Sequence, residues 1–155
     1  MKELMAYATE IAKAREELHS NHASSRPLSK DYDLLGVLGE IAMSLRYGVP
    51  FDAKLRPAGD GGRDVLLPMK FITDVKIART PGNLIVEQGK VKAQLYVLGR
   101  HNEGTLPTLL GWETRAAVLA APVKDFGYGI LNHYIPADRL RSMEHLDRRV
   151  GVAAP

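Results

Sequence analysis

The run FITDVKIAR, residues 71 to 79, constrains this chain more than any other segment. Phe71, Thr73, Val75 and Ile77 share one parity, and Asp74 and Lys76 share the other. In a strand, successive side chains point to opposite faces, so this run packs one face and presents charge on the other. Arg63 to Leu67 reads as a second strand, joined to it by a turn at Pro68-Met69. If the turn centres on Met69, residues whose numbers sum to 138 face each other, and 64 plus 74 makes 138. Asp64 and Asp74 are then expected as direct cross-strand partners, with Cβ atoms roughly 4.5 to 5.5 Å apart. Two like charges so placed are destabilising unless a cation lies between them. Magnesium or manganese suits such hard oxygen ligands. Lys76 follows Asp74 on the same face.

The elements around this hairpin follow from periodicity and punctuation. Leu4, Tyr7, Ala8, Ile11 and Leu18 recur at helical steps, predicting a helix over residues 2 to 19. Ser20 to Lys30 reads as a polar loop. A second helix is expected from Asp31 or Asp33 to Gly48-Val49-Pro50, with Leu34, Leu38, Ile41 and Leu45 as its stripe. Gly36 and Gly39 each cost that helix about 1 kcal/mol against Ala, which signals a close approach by another element. Short strands are expected at 51 to 56 and 84 to 86, a central strand at 94 to 98, and a late one at 128 to 135. Helices are expected at 112 to 120, with Thr114 or Glu113 near the start, and at 136 to 146. The chain thus reads as one α/β domain over 1–155: an N-terminal helix and loop (1–30), a core (31–146) and a tail (147–155).

Composition excludes several classes. Apolar residues make up 45% and charged residues 25%, as in ordinary soluble domains. With no cysteine, disulfides, thiolate zinc sites and a cysteine nucleophile are ruled out. No run approaches the roughly 20 apolar residues of a membrane span, and the first helix lacks a signal-peptide core. A soluble, cytoplasmic protein is expected, without a membrane partner. No G-x-S-x-G and no G-x-x-x-x-G-K-[ST] occurs, which removes the serine-hydrolase and P-loop signatures. The net charge of +3 is compatible with a phosphate-backbone partner.

Gly36-x-x-x-Glu40, then Asp64, then Asp74-x-Lys76 resembles the PD-(D/E)XK nuclease superfamily, in the GxxxE form of its RecB-like and small phage or prokaryotic members. The resemblance covers roughly residues 33 to 135 and implies a restriction-endonuclease-like core, a central mixed sheet flanked by helices in the order αβββαβ. It also implies a Mg²⁺- or Mn²⁺-dependent nuclease acting on DNA, in the host cytoplasm if phage-encoded. Glu40, Asp64 and Asp74 would serve the metal, and Lys76 the attacking water. Arg63 and Arg79 flank the site as candidate phosphate contacts, and Gln94 is a candidate to reach it from its own element. The residue before Asp64 is Arg63 rather than proline, and Gln94 and Tyr96 are too close to form a Gln-x-x-x-Tyr motif. A chain of this size that cuts both strands is expected to dimerise. The alternative is a non-catalytic nucleic-acid-binding or structural module on the same fold.

Overall fold

A computed structural model describes residues 1–19, 31–54 and 64–152 of the chain. Two helices open it, α1 (Lys2–His19) and α2 (Tyr32–Tyr47). They pack through Ala8 and Ala12 against Val37, Leu38 and Ile41, so the small residues of α1 let the two helices approach closely. Gly48 ends α2 in the left-handed conformation (φ 63°), where a Cβ would be strained. Asp31 occupies the N-cap position of α2 without a side-chain capping bond.

The strands form two sheets. The first has four strands in the order β1-β2-β4-β5: β1 (Val65–Leu66), β2 (Ile72–Ala78), β4 (Leu95–Arg100) and β5 (Thr108–Thr114). The second has three in the order β3-β7-β6: β3 (Asn83–Glu87), β7 (Leu131–Pro136) and β6 (Val123–Asp125). Between β1 and β2, Val65 faces Thr73 and Leu66 faces Ile72, so both pairs sum to 138 as the turn centre at Met69 predicts. β2 and β4 run parallel; the other pairings in the first sheet are antiparallel. The chain is therefore α/β with a mixed sheet.

The connection from β2 to its parallel neighbour departs from the expected αβββαβ order. Parallel strands need a crossover, usually a helix. Here the crossover contains β3, which joins the second sheet and covers the β2–β4 face with Leu84 and Val86 against Tyr96 and Leu98. The opposite face of the first sheet, with Val65, Val75, Val97 and Trp112, packs on Met43 and Tyr47 of α2 and on Met143, Leu146 and Val150.

Three other expectations are corrected. The helix over 112–120 begins only at Arg115: α3 spans Arg115–Ala120, and Thr114 caps it by accepting from the Ala117 N–H. Gly111 and Trp112 instead belong to β5, because Trp112 pairs with Val97 and its N–H also donates to the Arg141 carbonyl. The closing helix over 136–146 is replaced by a 3-10 turn and then α4 (Met143–Arg149), because the Ser142 side chain accepts the His145 N–H and starts the helix there. Residues assigned to the tail are thereby brought into the core, with Asp147 and Val150 both buried. No strand forms over 51–54, and 55–56 lie outside the described residues.

Candidate active site

Asp74 and Lys76 emerge from the same face of β2, as the alternation predicts. Their neighbours in the parallel ladder are Tyr96 and Leu98, the residues covered by β3. The charged face of β2 is thus largely roofed over, and Asp74 is only 5% exposed. Lys76 is longer and half-buried, and its Nζ lies 2.9 Å from Asp74 Oδ2. The other oxygen, Asp74 Oδ1, is buried with no hydrogen-bond partner among the described residues. Four other buried side-chain atoms there share that condition: Ser44 Oγ, Tyr47 OH, His101 Nδ1 and Asn132 Oδ1. Asp74 Oδ1 alone among them belongs to a carboxylate, for which burial without a partner costs most.

The arrangement of Asp64 differs from the expected facing pair. Its N–H donates to the Thr73 carbonyl at 3.1 Å, although Val65 is already the register partner of Thr73. Two residues oppose one, as in a β-bulge, so the simple register slips at Asp64. Its carboxylate Oδ2 accepts the Val75 N–H at 2.7 Å. The ladder with β1 has ended by that point, and the Asp64 side chain supplies the acceptor a longer β1 would have offered. The cation that offsets Asp74 is Lys76 itself. From Val75 to Ala78 no strand among the described residues pairs on that edge of β2.

Burial disfavours the Lys76 ammonium, but the charge of Asp74 and its hydrogen bond outweigh that effect, with smaller help from Tyr32 and Asp64. The net result is a pKa held above the ordinary lysine value, so Lys76 is a fixed cation at neutral pH and not a proton acceptor.

Glu40 is placed differently from the sequence-based expectation. Gly39 does lie against β2: a Cβ there would fall 2.7 Å from Ile77 Cγ1 and 3.0 Å from Val75 Cγ1. Gly36 meets nothing within 4 Å. The contacts of Gly39 are with the apolar parity of β2, so α2 packs on the face opposite Asp74 and Lys76. Glu40 is 4% exposed, and both of its oxygens are gripped by Arg15 of α1, at 2.6 and 2.9 Å. Among the described residues no three His, Cys, Asp or Glu side chains gather into a metal-holding group. Arg15 escaped the sequence reading. It continues the Ala8–Ala12 stripe of α1, and an arginine on a packing stripe calls for a buried carboxylate opposite.

The remaining candidates divide along β2. Arg79, just beyond its end, is ion-paired with Asp31 and, at 3.4 Å, with Glu103. Gln94 lies at the other end, where its N–H donates to the Ile72 carbonyl and its side-chain oxygen accepts the Ile72 N–H at 2.9 Å. It thereby extends the β2–β4 ladder. Arg63 lies outside the described residues.

Carboxylate oxygens are the right donors for a hard divalent cation, and Mg²⁺ commonly takes only one or two protein carboxylates beside water and substrate phosphate. Asp74, with its unpartnered oxygen, and the adjoining Asp64 fit that demand. Glu40, clamped by Arg15, is not required for it. No helix of the described residues is long and apolar enough to cross a membrane. Comparison with protein-family models, with curated proteins and with solved structures finds no match for the chain.

Proposed function

We propose that this chain is a metal-dependent nuclease that hydrolyses phosphodiester bonds in DNA. The observation that supports this most is the half-satisfied carboxylate of Asp74, buried beside a lysine held cationic, at a β2 edge where the β1 ladder stops. A buried carboxylate oxygen without a partner is costly, and such costs are retained where a ligand offsets them. Asp74 and Asp64 would hold Mg²⁺ or Mn²⁺, with Glu40 more remote in role. When bound there, the ion polarises a phosphodiester oxygen and lowers the pKa of a bound water.

The protein's own groups do the rest. Lys76 contributes fixed positive charge toward the developing charge of a phosphate. Asp74 orients Lys76 through its Oδ2, and Asp64 is oriented in turn by the Val75 N–H. The finer assignment as a restriction-endonuclease-like core belongs to the same proposal, with α2 and the β1–β2 hairpin as the elements that resemble it. So do action as a homodimer and a phage or prokaryotic, cytoplasmic setting.

The Arg15 clamp on Glu40 favours a second reading, a non-catalytic nucleic-acid-binding module. One experiment separates the two. The protein is incubated with plasmid, single-stranded and branched DNA in Mg²⁺, Mn²⁺ or EDTA, beside Lys76→Ala. The nuclease reading expects metal-dependent products and at least a ~100-fold loss in the variant, the scale for removing one charge-stabilising group. Equal cleavage by the variant sinks it, and binding without cleavage establishes the module.

A further inference from the structure

We infer that the β6–β7 hairpin tip is a stacking platform for an unpaired base of a nucleic acid strand; this rests on the proposed function only in taking nucleic acid as the partner. Residues 122 to 129 are all exposed, and Leu119, Val123, Phe126, Tyr128 and Leu131 are exposed large apolar side chains within one short stretch. Tyr128 is the most exposed of all such residues described, at 74%. It also has φ 65°, between Gly127 (φ 129°) and Gly129 (φ 70°). A tyrosine in that region is unfavourable relative to glycine, so the tip holds an aromatic ring outward against backbone preference.

The tip is built to keep that presentation. Asp125 Oδ1 accepts the Gly127 N–H at 2.7 Å. The Phe126 ring meets Tyr134 edge-on with centroids 5.6 Å apart, and Lys124 Nζ lies 5.2 Å from the Phe126 centroid. Phe126, held by these contacts beside Lys124, and the outward Tyr128 two residues on together match what strand-binding surfaces use: stacking on the base and charge for the phosphate.

A second copy of the chain suits this edge poorly. The Tyr134 N–H donates to the Pro122 carbonyl, so alternation along the antiparallel pair points Lys124 inward to β7 in hydrogen bonding and leaves Val123 and Asp125 with outward backbone groups. Two-fold pairing centred on Lys124 or on Asp125 sets like charges against each other, and the register centred on Val123 alone avoids this. Like charges directly opposed are destabilising, and edge charge of this kind disfavours self-pairing. Lys124 is exposed at the tip, and Lys90, which also pairs with Glu87, is exposed in the turn held to the hairpin by the Gln88 N–H donating to the Leu131 carbonyl; both suit a polyanion.

Fluorescence anisotropy in EDTA tests the inference without any cleavage, using a labelled oligothymidylate and a blunt duplex of equal length. Tyr128→Ala is expected to weaken oligothymidylate binding about tenfold, the scale of one lost stack, and leave duplex binding unchanged. Tyr128→Phe, which keeps the ring, should bind as the native protein does. Unchanged affinity in Tyr128→Ala, equal losses on both ligands, or no binding of oligothymidylate by the native protein overturns the inference. So does a dimer in sedimentation that Tyr128→Ala abolishes. Because the readout needs neither metal nor Lys76, loss of the nuclease reading leaves this result standing, and the reverse also holds.

Discussion

Two buried carboxylates in this molecule have opposite circumstances. Asp147 of α4 is 1% exposed, and Arg46 of α2 grips both of its oxygens, at 3.0 and 2.6 Å. Asp74 of β2 is nearly as buried, yet one oxygen has only Lys76 and the other has nothing among the described residues. The planar guanidinium satisfies a carboxylate in two places at once, whereas an ammonium group acts as a point charge. Asp147 is thus complete as it stands and ties α4 to α2. Asp74 is incomplete among the described residues, and the proposed metal would complete it.

Breaking each carboxylate should give inverse results. Asp74→Asn is expected to lower metal-dependent cleavage by ~100-fold or more, on the scale of lost charge stabilisation. Its thermal midpoint should fall less than that of Asp147→Ala, because the cost of the underpaired carboxylate oxygen goes with it and Lys76, which loses its partner, is exposed enough to reach water. A melting curve and a cleavage assay on one sample check both halves. Loss of stability with activity retained would reverse the assignment. Asp147→Ala should behave the other way, costing about 2–3 kcal/mol in denaturant unfolding, since Arg46 loses its partner but can still reach water. Metal affinity measured by titration should not change.

The smallest expected effect is in pH dependence. Burial is the largest single influence and raises the Asp147 pKa, but the hydrogen bonds and charge of Arg46 together with smaller contributions from other neighbours outweigh it, and the pKa lies below the ordinary carboxylate value. A carboxylate depressed on folding contributes stability that is present above its unfolded value and lost as pH falls through the folded one. Native protein should therefore lose stability more steeply below about pH 4 than Asp147→Asn, in urea melts at stepped pH. Lys76 is shifted upward, so its pair with Asp74 is present below the ordinary lysine range and fades only in strong alkali. No break near neutrality is expected from it.

The same contrast shows what was legible in the chain. The β1–β2 register was legible, because a three-residue turn at Pro68-Met69-Lys70 allows one pairing that keeps Val65 and Val75 on the packed side. A helix start near Thr114 and the close approach at Gly39 were also legible, since both are local backbone demands, although the cap role of Thr114 itself was not. The position of Trp112 was not. Its helical-looking surroundings were overridden by pairing with Val97 and with Arg141, 29 residues further on. The Arg46–Asp147 and Arg15–Glu40 clamps were invisible for a related reason: charged residues 101 and 25 positions apart leave no periodic trace.

Alternation in Phe71 to Arg79 by itself determined which side chains of β2 share a face, because the pleat permits only two directions. It thereby placed Asp74 and Lys76 together before any fold was known. What lies over that face was a tertiary decision. The β3 crossover roofs it, Arg15 draws Glu40 into a clamp, and Asp64 turns to the Val75 amide where β1 stops. Each of these depends on satisfying a buried polar group with whatever the packing brings near, and neighbours distant in sequence are set only when the layers close.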